Sequence, residues 1–156
     1  MMPQTEFRVR KALPEETEAL ASLILAMALE SEGRVLDYDT LSAGIQAVFS
    51  NPALGTYWVI EQAQALIACT LTTVEWSDWN NAPYWWIQSL YIQPEHRGAG
   101  RFEQLLAHLE QEARHQQVPE LRLYVEQNNE RAIRVYQRNG FESGHYRCMI
   151  KSLTQV

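Results

Sequence analysis

The stretch that decides the fold reads Gln93-Pro94-Glu95-His96-Arg97-Gly98-Ala99-Gly100-Arg101-Phe102. It follows an apolar and aromatic segment from Tyr84 to Ile92, whose composition is typical of a β-strand. After it, apolar residues recur at three- and four-residue spacing, which predicts a helix that carries Phe102, Leu105, Leu106, Leu109 and Ala113. The sequence therefore predicts a strand, a glycine-containing turn and a helix in succession.

The composition of this turn suits the binding of an anion. Gly98 and Gly100 have no Cβ, so the backbone can adopt positive φ and a ligand can come close to it. The first N–H groups of a helix have no partner within the helix, and they lie at the positive end of its dipole. A phosphate group placed there is held by the backbone. The alternative reading is a plain entry turn into a helix.

The turn differs from two common phosphate-binding motifs. A P-loop has Lys-Ser or Lys-Thr after its last glycine, where this chain has Arg101-Phe102. A dinucleotide-binding turn has a further glycine three residues after Gly100, where Glu103 stands.

Length and charge restrict the classes of function. The 156 residues predict a single domain, 1–156, with a core of its own. A net charge of −6 argues against nucleic-acid binding and is mildly favourable for cationic amine substrates. The two cysteines, Cys69 and Cys148, form no disulfide framework, which suits the reducing cytoplasm. No signal peptide or membrane span is recognisable, so no membrane partner is expected.

Hydrophobic periodicity predicts the remaining elements. Strands are expected at Phe7 to Arg10, 55–61, 65–76, 84–92, 121–125 and 141–153, the last bent or hairpinned at Ser143-Gly144. Helices are expected at 14–32, at 39–49, over the apolar positions from Phe102 to Ala113, and from Asn129 to Asn139. The order β-α-α-β-β-β-α-β-α-β predicts a mixed α/β fold with a mixed central sheet flanked by helices.

Two motifs in this order resemble one known family. The turn Arg97-Gly98-Ala99-Gly100-Arg101-Phe102 resembles the Gln/Arg-x-x-Gly-x-Gly/Ala signature of the GNAT superfamily of N-acetyltransferases, with Phe102 where a small residue is usual. Downstream, Asn129-x-x-Ala132-x-x-x-Tyr136-x-x-x-Gly140-Phe141 resembles the second signature of that superfamily. The predicted element order is also that of the GNAT fold.

This resemblance implies an enzyme that uses acetyl-CoA as co-substrate and acetylates a primary amine of a small molecule or peptide. It places the pyrophosphate on the turn formed by Arg97, Gly98, Ala99, Gly100, Arg101 and Phe102. It places the pantetheine arm against the backbone of Leu90, Tyr91 and Ile92, where an N–H near Leu90 would polarise the thioester carbonyl.

Two side chains of the second motif receive roles by the same resemblance. Tyr136 is expected to act as general acid towards the departing thiolate, the alternative being a tyrosine buried by its ring. Asn129 is expected to bond the pantetheine, although it also suits the N-cap of a helix.

No general base is identified, because the predicted central strand has no carboxylate. A carboxylate from elsewhere, an ordered water or an amine that arrives neutral remain as alternatives. The candidates for the acceptor site are Glu30, Glu32, Glu75, Trp86 and Gln88. Nearby aromatic residues, among them Trp76 and Trp79, are expected to pack in the core, to line an acceptor pocket or to form a homodimer contact.

No metal site is expected. His108 and His115 lie two helical turns apart, which makes joint ligation awkward. Two other functional classes remain open. One is an acyl-CoA-binding protein without turnover, and the other is a nucleotide-binding protein that uses the same glycine turn.

Overall fold

A computed structural model of the chain describes residues 6–154. It separates the chain into two compact units, the first ending at Tyr124 and the second beginning at Val125. The predicted single domain over residues 1–156 stays a prediction.

The first unit contains five strands, three helices and three short 3-10 turns. The strands are β1 (Arg8–Lys11), β2 (Thr56–Gln62), β3 (Ala65–Ser77), β4 (Ala82–Ile92) and β5 (Leu121–Leu123). The helices are α1 (Thr17–Glu32), α2 (Tyr38–Ser50) and α3 (Arg101–His115), and the 3-10 turns are Pro14–Glu16, Pro52–Leu54 and Pro94–His96. The second unit contains helix α4 (Glu130–Arg138).

Local sequence explains where the first helices begin and end. Before α1, the Glu16 carboxylate accepts a hydrogen bond from the backbone N–H of Leu13 at 2.8 Å. The helix ends at Gly33, which has φ +62° and so adopts the left-handed conformation that glycine tolerates best. Asp37 caps α2 by accepting a bond from the N–H of Thr40 at 2.9 Å. The predicted end of the first helix at residue 32 is confirmed.

The sheet has the strand order β1-β2-β3-β4-β5. The first four strands are antiparallel neighbours, and β5 runs parallel to β4. Since antiparallel and parallel pairs occur together, the predicted mixed sheet is confirmed. The main core cluster joins α1 and α2 to one face of the sheet through Leu20, Ile24, Ile45, Val59 and Cys69.

The predicted closing strand is absent. No strand is assigned between Phe141 and Leu153, so the expectation for this segment was wrong. Its apolar residues Tyr146, Met149, Ile150 and Leu153 are exposed, so the segment lacks the side-chain packing that stabilises a strand. The strand after α3 is also shorter than expected, since it ends at Leu123 rather than Val125. None of the helices in residues 6–154 has the length and apolarity needed to cross a bilayer.

Candidate active site

The turn between β4 and α3 has the geometry that its glycines predict. Gly98 has φ +73° and Gly100 has φ +78°, a backbone conformation that other residues adopt only with strain. A Cβ built at either position would meet no atom of the described chain within 4 Å. Gly100 is the N-cap of α3 and has no side chain with which to cover the first turn of the helix. The turn therefore presents its backbone to open space at the positive end of a helix.

Arg97, the first residue of the turn, is held from two sides. Its Nε donates to the carbonyl oxygen of Ile92 at 2.8 Å. Its two Nη atoms donate to the two carboxylate oxygens of Glu30 at 2.5 and 3.0 Å, across 67 residues of sequence. This bidentate pair raises the pKa of Arg97 and lowers that of Glu30.

Arg101, at the other end of the turn, contacts the start of the described chain. Its guanidinium carbon lies 3.4 Å from the ring centroid of Phe7, and its Nη1 donates to Gln104 Oε1 at 2.8 Å. Gln104 in turn donates to the carbonyl oxygen of Phe7 at 3.1 Å. The Nε of Arg101 is buried without a hydrogen-bond partner among the described residues. Ala99 is exposed and Phe102 is half-buried.

Strand β4 contains a β-bulge just before the turn. Gln88 pairs with Leu71 and Tyr91 pairs with Cys69, so two residues of β4 lie opposite Thr70 alone. One of these two, Ser89, has φ +47°.

Two side chains of β3 hold the carbonyl groups of the bulge. The hydroxyl of Thr70 donates to the Gln88 carbonyl oxygen at 2.8 Å, and the Cys69 thiol contacts the Ser89 carbonyl oxygen at 3.6 Å. Burial raises the pKa of the Cys69 thiol to about 12, so this thiol stays protonated at neutral pH.

The bulge lies where β4 loses its second neighbour. β5 pairs with β4 only from Trp85 to Ile87. From Gln88 to Ile92, no strand in residues 6–154 pairs with the edge of β4 that faces away from β3. Leu90 and Ile92 are half-buried on this stretch, and Tyr91 is buried.

The structure divides the candidate acceptor residues between two places. Glu75, Trp86 and Gln88 lie on one face of the sheet, where Trp86 stacks on Tyr124 with ring centroids 4.5 Å apart. Gln88 donates to Thr73 Oγ1 at 2.5 Å, and Glu75 accepts a bond from Arg122 at 3.1 Å.

The other two candidates lie near the end of α1. Glu30 is paired with Arg97, and Glu32 is exposed. Trp76 and Trp79, on the β3–β4 hairpin, are 61% and 86% exposed.

Helix α4 places the residues of the second motif. Asn129 is its N-cap, and its Oδ1 accepts a bond from the N–H of Ala132 at 3.1 Å. The predicted cap is therefore present. The Tyr136 ring meets the ring of Phe141 edge to face at 5.8 Å. Burial raises the pKa of Tyr136, so the phenol keeps its proton through neutral pH.

A cavity of about 330 Å³ lies between α1 and the end of β4. Ala19, Ser22 and Ala26 line it on the helix, and Tyr91 and Glu95 line it on the other side. Neither Gly98 nor Gly100 lines it. The cavity therefore adjoins the start of the segment between β4 and α3, at Gln93, Pro94 and Glu95, and not its glycines. In the described part of the chain, no three His, Cys, Asp or Glu side chains come close enough to hold a metal ion.

Sequence reasoning missed three contributors to this site: Phe7, Thr70 and the pairing of Glu30 with Arg97. Thr70 had a visible signal, because it is a polar residue within the apolar segment Ile67 to Leu71. The contacts of Phe7 and Glu30 span 97 and 67 residues and leave no local pattern in the sequence.

Comparison with known proteins gives a consistent result. The model of the Acetyltransferase (GNAT) family matches residues 18–141. A possible acetyltransferase from Clostridium difficile 630 is 29% identical with a TM-score of 0.90, and the match covers 96% of this chain and 99% of that one. No curated protein matches the sequence.

Two further solved structures share the fold at lower identity. A predicted acetyltransferase from Clostridium acetobutylicum, solved with acetyl-CoA, is 21% identical with a TM-score of 0.76, and the match covers 94% of this chain and 96% of that one. An aminoglycoside N-acetyltransferase in complex with CoA is 14% identical with a TM-score of 0.82, and the match covers 99% and 100% of the two chains.

Proposed function

The chain belongs to the GNAT acetyltransferase family, and we propose that it transfers an acetyl group from acetyl-CoA to a primary amine of a small molecule or peptide. The observation that carries this proposal is the turn between β4 and α3. Its two glycines have positive φ, its backbone faces open space, and it begins a helix whose N-cap has no side chain. These features suit a pyrophosphate held by backbone N–H groups.

The residues that would hold the co-substrate follow from this turn and from β4. The backbone from Arg97 to Phe102 would hold the phosphates, and the edge of β4 from Leu90 to Ile92 would pair with the amide groups of the pantetheine. When bound, acetyl-CoA supplies the thioester from which the acetyl group is transferred. Asn129 already uses Oδ1 as a helix cap, so its Nδ2 is the group left for a bond to the pantetheine.

Tyr136 is the proposed general acid. A phenol can give a proton or a hydrogen bond to a thiolate as the thiolate leaves. Burial raises the pKa of Tyr136, so the phenol is in the protonated form that this role requires. The attacking amine nitrogen would lose one proton to solvent as the amide forms, and the phenolate would take one proton back from solvent, so that the protons balance.

The acceptor would lie against the face of the sheet that carries Trp86, Gln88 and Glu75. Glu30 is a weak candidate for a general base, because its pairing with Arg97 lowers its pKa. We therefore propose that the amine reacts from its neutral fraction, so that the rate rises with pH towards the pKa of the amine.

The second candidate function is binding of acyl-CoA without transfer. One observation favours it. β4 has no carboxylate, and both Glu30 and Glu75 are engaged with arginines. Under this reading the turn would bind CoA as a ligand and no amine would be acetylated.

Thiol release from acetyl-CoA, measured with a panel of cationic and neutral amines, separates these two functions. Amine-dependent release that is lost in Tyr136→Phe supports the transferase. Binding of CoA without release for any amine in the panel supports the second candidate. The reaction is proposed to take place in the cytoplasm, since Cys69 and Cys148 are both free thiols.

A further inference from the structure

We propose that Glu30 is a positioning residue for co-substrate binding, which acts by joining the two segments that would hold CoA. This inference rests on the proposed function. Glu30 lies on α1, outside both signature motifs. The local sequence gives no sign of its contacts with Arg97 and Tyr91.

One carboxylate contacts one residue from each of the two segments. Both of its oxygens accept bonds from Arg97, the first residue of the turn. Oε2 also accepts a bond from the hydroxyl of Tyr91 at 3.1 Å, and Tyr91 belongs to the stretch of β4 expected to face the pantetheine. The guanidinium of Arg97 lies 5.4 Å from the centroid of the Tyr91 ring, which closes the cluster.

The guanidinium of Arg97 acts as an anchor in this arrangement. Its Nε is bonded to Ile92 and its two Nη atoms to Glu30, so every nitrogen of the group has a bond to β4 or α1. A guanidinium fixed in this way orients the backbone that follows it, from Gly98 to Gly100. The turn is then already in place before a ligand arrives, which reduces the ordering cost of binding.

The location of Glu30 at the end of α1 indicates that its carboxylate depends on the pairing with Arg97. It lies in the last turn of α1, at the negative end of the helix dipole, where a carboxylate is unfavourable. That turn contains no basic residue, so the compensating positive charge comes from Arg97. Glu32 lies in the same turn and has no ion pair among the described residues, which makes it a matched control for the loss of charge.

The test compares CoA dissociation constants by calorimetry, and KM and kcat for acetyl-CoA, in wild type, Glu30→Gln, Tyr91→Phe and Glu32→Gln. We expect the dissociation constant and KM to rise about tenfold in Glu30→Gln and a few-fold in Tyr91→Phe, with kcat at saturating acetyl-CoA changed less than about twofold. Glu32→Gln should leave the CoA dissociation constant within about twofold of wild type. Glu30→Asp, which keeps the charge, should recover part of the affinity.

A double mutant separates positioning through Glu30 from a direct contact of Arg97 with phosphate. Arg97→Lys keeps the charge but loses the bidentate geometry. If Arg97 acts through Glu30, the double variant Glu30→Gln/Arg97→Lys should bind CoA about as tightly as the single variant that has lost more affinity. Additive losses would overturn the inference, and so would an unchanged affinity in both Glu30→Gln and Tyr91→Phe.

The same experiment distinguishes a failure of this inference from a failure of the proposed function. If wild type binds CoA and the folded Glu30 variants bind it equally well, only the role of Glu30 is overturned. If wild type itself binds neither CoA nor acetyl-CoA, the proposed function is overturned and the role of Glu30 with it. Should Glu30→Gln prove unfolded by circular dichroism, Tyr91→Phe gives the result, because it removes one bond to Glu30 and keeps the aromatic ring.

Discussion

The turn from Gln93 to Phe102 and helix α4 both carry a family signature, but they are held in different ways. In the turn, Arg97 bonds Glu30, which lies 67 positions away along the chain, and Arg101 bonds Gln104, which in turn bonds Phe7 across 97 positions. The start of α4 has local bonds: Asn129 accepts a bond from the N–H of Ala132, and Glu130 pairs with Arg134 one helical turn away.

This difference indicates where distant substitutions should matter. The geometry of the turn depends on contacts from α1 and from the start of the chain, so substitutions far from the glycines should weaken CoA binding. The start of α4 is specified by its own sequence through its cap and its i,i+4 pair. Its substitutions should therefore change chemistry or local stability and leave the phosphate contact intact.

The largest expected effect is on chemistry at α4. In Tyr136→Phe we expect kcat to fall about a hundredfold or more, because a general acid contributes about 10²–10⁴-fold. The CoA dissociation constant should change less than about threefold. Steady-state kinetics and calorimetry on the same preparation check both numbers, and an unchanged kcat would remove Tyr136 from the mechanism.

The same residue gives a pH prediction. Burial raises the pKa of Tyr136 above its ordinary value of about 10. The phenol therefore stays protonated through neutral pH and up to about pH 9, so loss of this acid should cause no fall in kcat over that range. A pH profile of kcat from 6 to 10 tests this, and a decline near pH 8 would assign the acid to another group.

The next largest effect is on the turn. Gly100→Val adds a branched side chain at φ +78°, in space that is open in the described structure. Left-handed strain of about 1–2 kcal/mol and obstruction of the phosphate should together weaken CoA binding by at least about tenfold. Gly33→Val is the control, since Gly33 also has positive φ and open surroundings but ends α1. It should lose similar stability and keep most of its CoA affinity. Equal affinity losses in the two variants would show that strain alone explains the effect.

A smaller effect separates the two roles of Asn129. Asn129→Ala removes the N-cap and should lower the free energy of unfolding by about 1 kcal/mol. Asn129→Asp keeps an oxygen for the cap but loses the amide donor. We therefore expect Asn129→Asp to retain the stability and to weaken acetyl-CoA binding, as measured by denaturant unfolding and calorimetry. If Asn129→Asp bound acetyl-CoA as tightly as wild type, Asn129 would act only as the N-cap of α4.

The smallest effect concerns the link between α1 and the turn. Arg97 lowers the pKa of Glu30 in the folded chain, so the ionised carboxylate stabilises the fold above its unfolded pKa of about 4.3. That contribution is lost as the pH falls through the lower folded pKa. The stability difference between wild type and Glu30→Gln should therefore be constant from pH 6 to 8 and disappear in strongly acidic buffer. A difference that grew on acidification would contradict the assigned pairing.

Much of the fold could be predicted because its signals are local. Gly33 marks the end of α1, Gly98 and Gly100 mark the turn, and the apolar spacing from Phe102 to Ala113 predicted the helix that follows it. The segment from Phe141 to Leu153 shows the limit of this reasoning. Its composition suits a strand, but a strand also needs a partner, and composition says nothing about partners.

The candidate site was predictable to the same extent. The positive φ of Gly98 and Gly100 and the cap by Asn129 follow from residue type. The bulge at Ser89, the stacking of Arg101 on Phe7 and the pairing of Glu30 with Arg97 arise from tertiary contacts, so no local pattern reveals them.

Thermal unfolding with acetyl-CoA, CoA or ATP tests the central claim most directly, namely that the turn between β4 and α3 holds the phosphates of CoA. A ligand that binds only the folded state, at about a hundred times its dissociation constant, adds roughly 2.7 kcal/mol to stability. We expect both CoA species to raise the melting temperature clearly and ATP to leave it nearly unchanged. No shift with either CoA species, or an equal shift with ATP, would contradict the account.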